Sequence, residues 1–535
     1  MVDINGFIAY LIWGLGSIVL TAVMSTHWPP DERRNLGIYI LGYKGSGKSR
    51  FMGRVLCLRD LLRGIPQIVI DGVGGLISNI LDAVIRLPAP QRRAALGRLV
   101  YHDMSGRLTQ HVCPLPLFYR LGNESLNDIA WRYLDMILML DSAMASAPIM
   151  GANAITQVGP PINTILAASN WQISEARWLL DTPQVLKTPL KNHLKALQAE
   201  ATDEGLRQAV AFFKDQYMGW DTKKRGQEAG SYRRKVDLLL RDNASLAIFG
   251  AATPGLNHYH IRQQKQTVLL DFSGDQKNPE LMRTKMIKVF DDFMNDIKDR
   301  VETQGPGLHL SPIGLVIDEM AMLSQLDATS SSDTDIFATR IDELLNLWCR
   351  QGMIWPTFAN QEKFQISERL FKTLMGCGTL MCGLTSDWEA AVYMASELMP
   401  AQPHRVKRYE PVYDADQSVR WYRPIDMTLA EQTQLTAAMF KNLGKFQFLV
   451  KEIGPSPVWL LDTTQVDPGL YPDPETLKAL KIKLSEHWGV PISDILAEIE
   501  QRRLTLQGLK SDSKRDTLKG QPKDKDDGHD HDFFI

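Results

Sequence analysis

Short, wholly apolar runs alternate with amphipathic stretches along much of this chain. Ile38 to Leu41 is one such run, and after a glycine-rich turn Ser49 to Arg63 carries Phe51, Met52, Val55, Leu56 and Leu62 at helical spacing. Gln67 to Asp71 reads as a second strand, followed by Gly72, Gly74 and Gly75 and a periodic helix from Leu76 to Ile85, and Leu99 to Tyr101 as a third strand. From about Ser125 to Asp242 the pattern becomes helical, with breaks expected at Gly159-Pro160-Pro161 and around Gly226 to Gly230. Strand runs return at Thr267 to Asp271, Ile313 to Ile317, Ile354 to Phe358, Gly378 to Gly383 and Phe446 to Val450. Buried strands separated by helices predict an α/β fold with a mostly parallel central sheet covered on both faces.

This pattern divides the chain into six parts. Residues 1–30 form an apolar N-terminal segment, 31–124 and 246–465 two parts of one α/β domain, and 125–245 a helical insertion between them. Residues 466–505 are C-terminal helices, with Pro474 to Arg503 expected as a small appendage, and 506–535 a charged tail expected to be disordered from Gly508 to Asp530. Asp327 to Asp335, with Thr329-Ser330-Ser331-Ser332, reads as a surface loop. His529 and His531 sit among aspartates in the tail, a pattern of solvated charge, and no metal is assigned there.

Phe7 to Met24 is almost continuously apolar, and no charged residue occurs from Ile4 to Pro30. A run of that length matches the ~20 residues needed to cross a bilayer. Asp3 precedes it and Arg33-Arg34 follows, which predicts a single-pass anchor with the N-terminus outside and the body of the protein in the cytoplasm, at the inner membrane. A formal net charge of -2 over 535 residues means that any contact with nucleic acid must come from local patches. The five cysteines are scattered, mostly within apolar runs, which predicts reduced core thiols rather than a disulfide frame or a zinc site.

Gly42-Tyr43-Lys44-Gly45-Ser46-Gly47-Lys48-Ser49 fits G-x-x-x-x-G-K-[ST] between a predicted strand and a predicted helix. In that context backbone N–H groups from Gly42, Lys44, Gly45, Ser46, Gly47 and the helix start through Arg50 can cradle the phosphates of ATP. Lys48 can reach the β- and γ-phosphates and Ser49 can ligate Mg²⁺. Ile313-Gly314-Leu315-Val316-Ile317-Asp318-Glu319 then supplies a buried strand ending in two carboxylates: Asp318 for the hydrated Mg²⁺ and Glu319 as the base for the attacking water. Gln361, just past the strand Ile354 to Phe358, is the candidate γ-phosphate sensor. Arg350 is the candidate charge stabiliser offered to a neighbouring subunit's nucleotide.

The order of these blocks resembles the FtsK/HerA superfamily of DNA-translocating P-loop ATPases, and within it the conjugative coupling proteins of type IV secretion systems. The resemblance runs over roughly residues 35 to 460. It rests on the phosphate loop after an apolar N-terminus, Ile68 to Gly72, Phe249-Gly250, Pro254-Gly255, Val268 to Ser273, Val316 to Met320, Arg350-Gln351-Gly352 through Gln361, and Leu374 to Gly383. It implies a RecA-like motor domain assembling as a homo-hexamer, with ATP between subunits, DNA at the channel, and a relaxase and secretion-channel components as partners. Coupling proteins of this class commonly carry two membrane spans, whereas this chain shows one.

Lys223-Lys224-Arg225 and Arg233-Arg234-Lys235, flanking a turn, form the densest basic region and are the candidate DNA-binding positions. With no base-reading motif beside them, the expected binding is sequence-tolerant and salt-sensitive. Two alternatives share this sequence: a double-strand translocase working outside conjugation, and a membrane-tethered, nucleotide-dependent secretion or assembly scaffold that moves no DNA.

Overall fold

A computed structural model describes residues 30–120, 124–140, 151–181, 184–200, 203–305, 310–324, 335–399, 404–454, 458–463 and 474–507. The apolar run Phe7 to Met24, nearly all of the polar stretch Asp327 to Asp335, and the tail from Gly508 lie outside these residues. Among the described residues no helix is long and apolar enough to cross a membrane.

The strands in chain order are β1 (Ile38–Leu41), β2 (Gln67–Asp71), β3 (Leu99–Asp103), β4 (His111–Val112), β5 (Thr267–Asp271), β6 (Ile313–Asp318) and β7 (Ile354–Asn360), then β8 (Thr379–Cys382), β9 (Val406–Tyr413), β10 (Val419–Asp426), β11 (Gln447–Glu452), β12 (Trp459–Asp462) and β13 (Val490–Pro491). Nine of them form one sheet in the order β12-β11-β8-β1-β7-β6-β2-β5-β3. From β8 to β3 every neighbouring pair is parallel. This is the RecA-like arrangement expected of a P-loop ATPase. At the other edge β11 runs antiparallel to β8, and β12 antiparallel to β11, so the sheet is mostly parallel, as expected, with an antiparallel edge.

The strands read as continuous apolar runs because both faces are covered. Ile38 and Ile40 of β1 pack with Phe51, Leu56, Val69, Leu76 and Val316 on one face. Tyr39 and Leu41, pointing the other way, join Ile68, Ile70, Phe290, Ile317 and Phe358. The 26-residue helix Pro279–Gln304 supplies much of that second layer through Met286, Phe290 and Phe293.

Among the described residues between β4 and β5 the regular elements are all helices. The helix Gly151–Ala168 runs through Gly159-Pro160-Pro161, where a break was expected. Proline in a helix interior costs about 3 kcal/mol. Against that cost, Val158, Ile162, Ile165 and Leu166 are buried in the shared core, Gly159 lies close to Leu134 and Tyr232, and the Thr164 hydroxyl donates to the Pro160 carbonyl at 2.9 Å. The break near Gly226 to Gly230 is present: one helix ends at Glu228 and the next begins at Gly230.

The C-terminal helices are built into the body rather than appended to it. Pro474–Trp488 packs against β3, β13 pairs with β4, and Ile492–Leu506 packs on the helix Asn243–Gly250. Arg502 fastens that last helix by donating to Glu175 at 3.0 Å and to the Gly250 carbonyl. The five cysteines are buried and unpaired, with burial pushing the thiols of Cys57, Cys113, Cys377 and Cys382 well up, as fits core thiols.

Candidate nucleotide site

The site lies at the carboxyl ends of β1, β7 and β6, and strand order explains why. β7 sits between β1, which leads into the phosphate loop, and β6, which ends in Asp318. The residue following β7 must therefore project between the loop and the acidic pair.

The loop is laced to its surroundings by backbone. Gly42 N–H donates to Asn360 at 3.2 Å and Tyr43 N–H to Leu384 at 2.7 Å, tying the loop's start to the ends of β7 and β8. Gly45 and Gly47 adopt φ of +85° and +101°, conformations that glycine takes without a Cβ penalty. At Gly47 there is no room either: a Cβ would stand 2.4 Å from Cδ1 of Phe446. Phe446 closes the loop from the side, its N–H donating to the Ser46 carbonyl at 2.9 Å and its ring lying 4.9 Å beneath the Arg50 guanidinium. The helix then starts at Lys48 and includes a π-helical turn at Met52–Cys57. Lys48 is buried and donates to the Gly42 carbonyl, folded over the loop it would serve, while Lys44 at the rim is exposed.

Ser49 donates to Asp318 Oδ2 at 2.6 Å, which joins the two residues predicted to hold Mg²⁺. The other carboxylate oxygen, Asp318 Oδ1, is buried and without a hydrogen-bond partner. Gln361 Nε2 donates to Glu319 Oε1 at 2.7 Å, so the predicted sensor holds the predicted base. Glu319 has φ +65° and ψ +67°, a left-handed conformation that is uncommon for a residue with a side chain and recurs at functional sites.

Burial, then repulsion from Glu319, pushes the Asp318 carboxyl up to about 6, against the pull of Ser49 and Lys48. Burial also raises Glu319, opposed by Lys48 and Gln361, and lowers Lys48, opposed by Glu319 and Asp318. Beside them stands Asp71 at the end of β2, in register with Asp318 and raised to about 7 by burial and that neighbour's charge. The site thus gathers more negative charge than one lysine neutralises. A divalent cation relieves such crowding. With an unpartnered oxygen on Asp318, a hydroxyl beside it and a glycine-opened loop next to it, these residues fit Mg²⁺ and a nucleotide's phosphates.

Asp71 was read only as part of a strand block, yet it organises the turn after β2: its carboxylate accepts from the N–H groups of Val73, Gly74 and Ile77 at 2.7 to 2.9 Å. Asp271, in register with it on β5, accepts from Lys481 of the helix Pro474–Trp488 at 2.8 Å. Phe446 was read only as the start of a strand and Lys481 only as part of the C-terminal helices. A strand-start phenylalanine and a helical lysine carry no local signal of such contacts.

Arg350 is not brought to this site within one chain. It is exposed, just before β7, whereas Gln361 follows the far end of that seven-residue strand. At ~3.3 Å per residue the two stand roughly 20 Å or more apart. The six basic candidates divide. Lys223, Lys224, Arg233 and Arg234 are exposed; Arg225 is half-buried over Tyr217, donating to the Met218 carbonyl, and Lys235 lies 3.7 Å from Glu280.

No family model matches the sequence, and no curated protein matches it. Among solved structures the chain is similar to the bacterial conjugative coupling protein TrwBdeltaN70 in its unbound monoclinic form, at 14% identity and TM-score 0.46 over 81% of this chain and 86% of that one. It is similar at 15% identity and TM-score 0.45 to plasmid coupling protein TrwB in complex with ADP and Mg²⁺, over 83% and 89% of the two chains. VirB4 of Thermoanaerobacter pseudethanolicus is similar at 12% identity and TM-score 0.40, over 79% and 88%.

Proposed function

We propose that this chain is an ATP-hydrolysing DNA translocase that acts as a coupling protein in conjugative transfer through a type IV secretion system, anchored in the inner membrane by residues 1–30 and working as a hexamer. The observation that carries the ATPase is the convergence of Ser49–Asp318 and Glu319–Gln361 beside Lys48 at adjoining strand ends. Bound Mg²⁺ supplies charge neutralisation at the β- and γ-phosphates. Lys48 and the loop N–H groups hold the phosphates, and Asp318 with Ser49 positions the metal. Glu319 orients a water and accepts its proton; Gln361 fixes Glu319 and is placed to register loss of the γ-phosphate. The DNA-moving part of the proposal is supported by the order of the sequence blocks and by the exposed cations on the helices Thr222–Glu228 and Gly230–Leu239. Arg350, remote from its own chain's site, is assigned to the nucleotide of a neighbouring subunit.

Glu319→Gln tests the assignment. The variant keeps the volume and the hydrogen bond to Gln361 but cannot accept a proton, so ATP affinity stays near wild type while turnover falls ~10²- to 10⁴-fold. Wild-type turnover in that variant removes Glu319 from the mechanism.

A further inference from the structure

Three consecutive residues at the carboxyl end of β7 each take hold of a different part of the site. The Asn360 carbonyl accepts from the Gly42 N–H at 3.2 Å, and Gln361 holds Glu319. The third, Glu362, lies outside the chemistry assigned to Lys48, Asp318, Glu319 and Gln361. It is only 7% exposed, and its carboxylate accepts from the Ser386 hydroxyl at 2.6 Å and from the Gln365 N–H of the turn that it caps. Its backbone is fixed as well: the Asn360 side-chain amide donates to the Glu362 carbonyl at 2.7 Å, and the Glu362 N–H donates to Gln365 Oε1 at 3.2 Å.

Sheet order determines where the Glu362–Ser386 bond runs. Glu362 follows β7 and Ser386 follows β8, with β1 between those two strands, which stand roughly 10 Å apart at ~4.8 Å per strand. The bond therefore crosses the carboxyl end of β1, where Gly42 opens the phosphate loop and where the Lys48 ammonium donates to the Gly42 carbonyl. Anchoring the loop does not by itself call for a buried carboxylate at this point. Gly42 N–H on Asn360 and Tyr43 N–H on Leu384 already tie the loop to both neighbouring strands through backbone.

Among the described residues the donors to Glu362 are neutral, so its charge is answered by no direct ion pair. A buried charge left without one costs stability. What lies across the bond is Lys48: burial lowers its ammonium, and the charges of Glu319, Asp318 and then Glu362 oppose that. Arrival of a nucleotide changes this balance. Mg²⁺ would answer Asp318, and Glu319 is held by Gln361, but Glu362 stays as a negative charge beside a polyanion that competes with it for the same lysine.

We infer that Glu362 is a counter-charge to Lys48 that limits how tightly the phosphate loop holds nucleotide: it balances the lysine in the empty site and opposes retention of the phosphates, so that the diphosphate product is released. The inference rests on the proposed nucleotide site and adds to it the residue that sets release. Acting through Lys48, Glu362 is a positioning residue and not a catalytic one.

The test measures Mg²⁺-dependent binding and dissociation of a fluorescent N-methylanthraniloyl ADP on the full chain in detergent. Glu362→Gln removes the charge and keeps an oxygen for Ser386, Glu362→Met removes both charge and bond, and Ser386→Ala removes the bond while leaving the charge. Both Glu362 variants should bind the ADP about tenfold more tightly than wild type and release it correspondingly more slowly, whereas Ser386→Ala should not bind it more tightly. A residue that merely anchors the loop gives the opposite sign, since losing an anchor loosens the site. Affinity equal to or weaker than wild type in both Glu362 variants overturns the inference. Equal tightening in Ser386→Ala also overturns it, because the bond and not the charge would then be responsible. Failure of the nucleotide-site reading is a separate result: the wild-type chain itself would bind no ADP, or Lys48→Ala would bind it as wild type does.

Discussion

The nucleotide site and the basic helices of the insertion hold charge in opposite ways. At the site, Lys48, Asp318 and Glu319 are buried, each polar contact is short and directed, and burial shifts every one of their protonation equilibria. On Thr222–Glu228 and Gly230–Leu239, four of six cations face solvent, and their contacts are of the surface kind: Lys224 lies over Trp220, Arg233 stands 3.8 Å from Asp237, and Arg234 donates to Ser231 at 3.2 Å. Preorganised charge does chemistry on one bound group. Exposed, adaptable charge suits a polyanion that slides past, because each contact is worth little and is readily exchanged.

The contrast orders the expected effects. Lys48→Ala removes a buried, charged donor from the phosphates and should weaken ATP binding on the order of 100-fold, as measured by equilibrium titration. Affinity within twofold of wild type would place the phosphates elsewhere. Protonation gives the next effect. Asp318 must be ionised to ligate Mg²⁺, and its raised value of about 6 means that Mg²⁺-dependent nucleotide affinity should fall as pH drops through 6, by about tenfold per unit below it. Asp318→Asn should abolish this pH dependence together with most of the metal dependence; a variant that keeps both would exclude Asp318 as the metal residue.

Gln361→Ala should lower turnover about tenfold, with ATP affinity little changed, since it frees Glu319 without removing it. Parallel losses of binding and turnover would mark Gln361 as a structural support instead. The smallest effect belongs to the other region. Charge reversal at Lys223, Lys224, Arg225, Arg233, Arg234 and Lys235 should leave DNA-independent hydrolysis within twofold, yet flatten the salt dependence of DNA stimulation by ~0.7 to 0.9 in log–log slope for each DNA phosphate that the helices cease to neutralise. An unchanged slope would dismiss these helices as a DNA surface.

How much of this was legible in the sequence follows from the range of the contacts. β1, β2 and β6 are buried on both faces, so each shows as an unbroken apolar run, and Gly42 to Ser49 and Asp318-Glu319 are legible as the segments at the carboxyl ends of β1 and β6. Gln361 could be placed for the same reason. Phe446 against Gly47 could not, since 399 positions separate them and only the antiparallel turn into β11 brings them together. Lys481 reaches Asp271 across 210 positions, which is why the C-terminal helices read as an appendage. At Gly159-Pro160-Pro161 local propensity predicted a break, and burial of Val158, Ile162 and Ile165 against the neighbouring helices overrode it. The hairpin β9–β10 was missed because aromatic, charged and proline residues are mixed on both of its faces, so no apolar alternation marks it.

The measurement that bears most directly on the account is steady-state ATP hydrolysis by the chain lacking residues 1–30, with no DNA, single-stranded DNA or double-stranded DNA, across a salt series. The account predicts Mg²⁺-dependent hydrolysis that DNA stimulates strongly at low salt, with the stimulation falling steeply as salt rises. Active hydrolysis indifferent to DNA at every salt concentration would contradict the translocase and point to a secretion or assembly ATPase built on the same site.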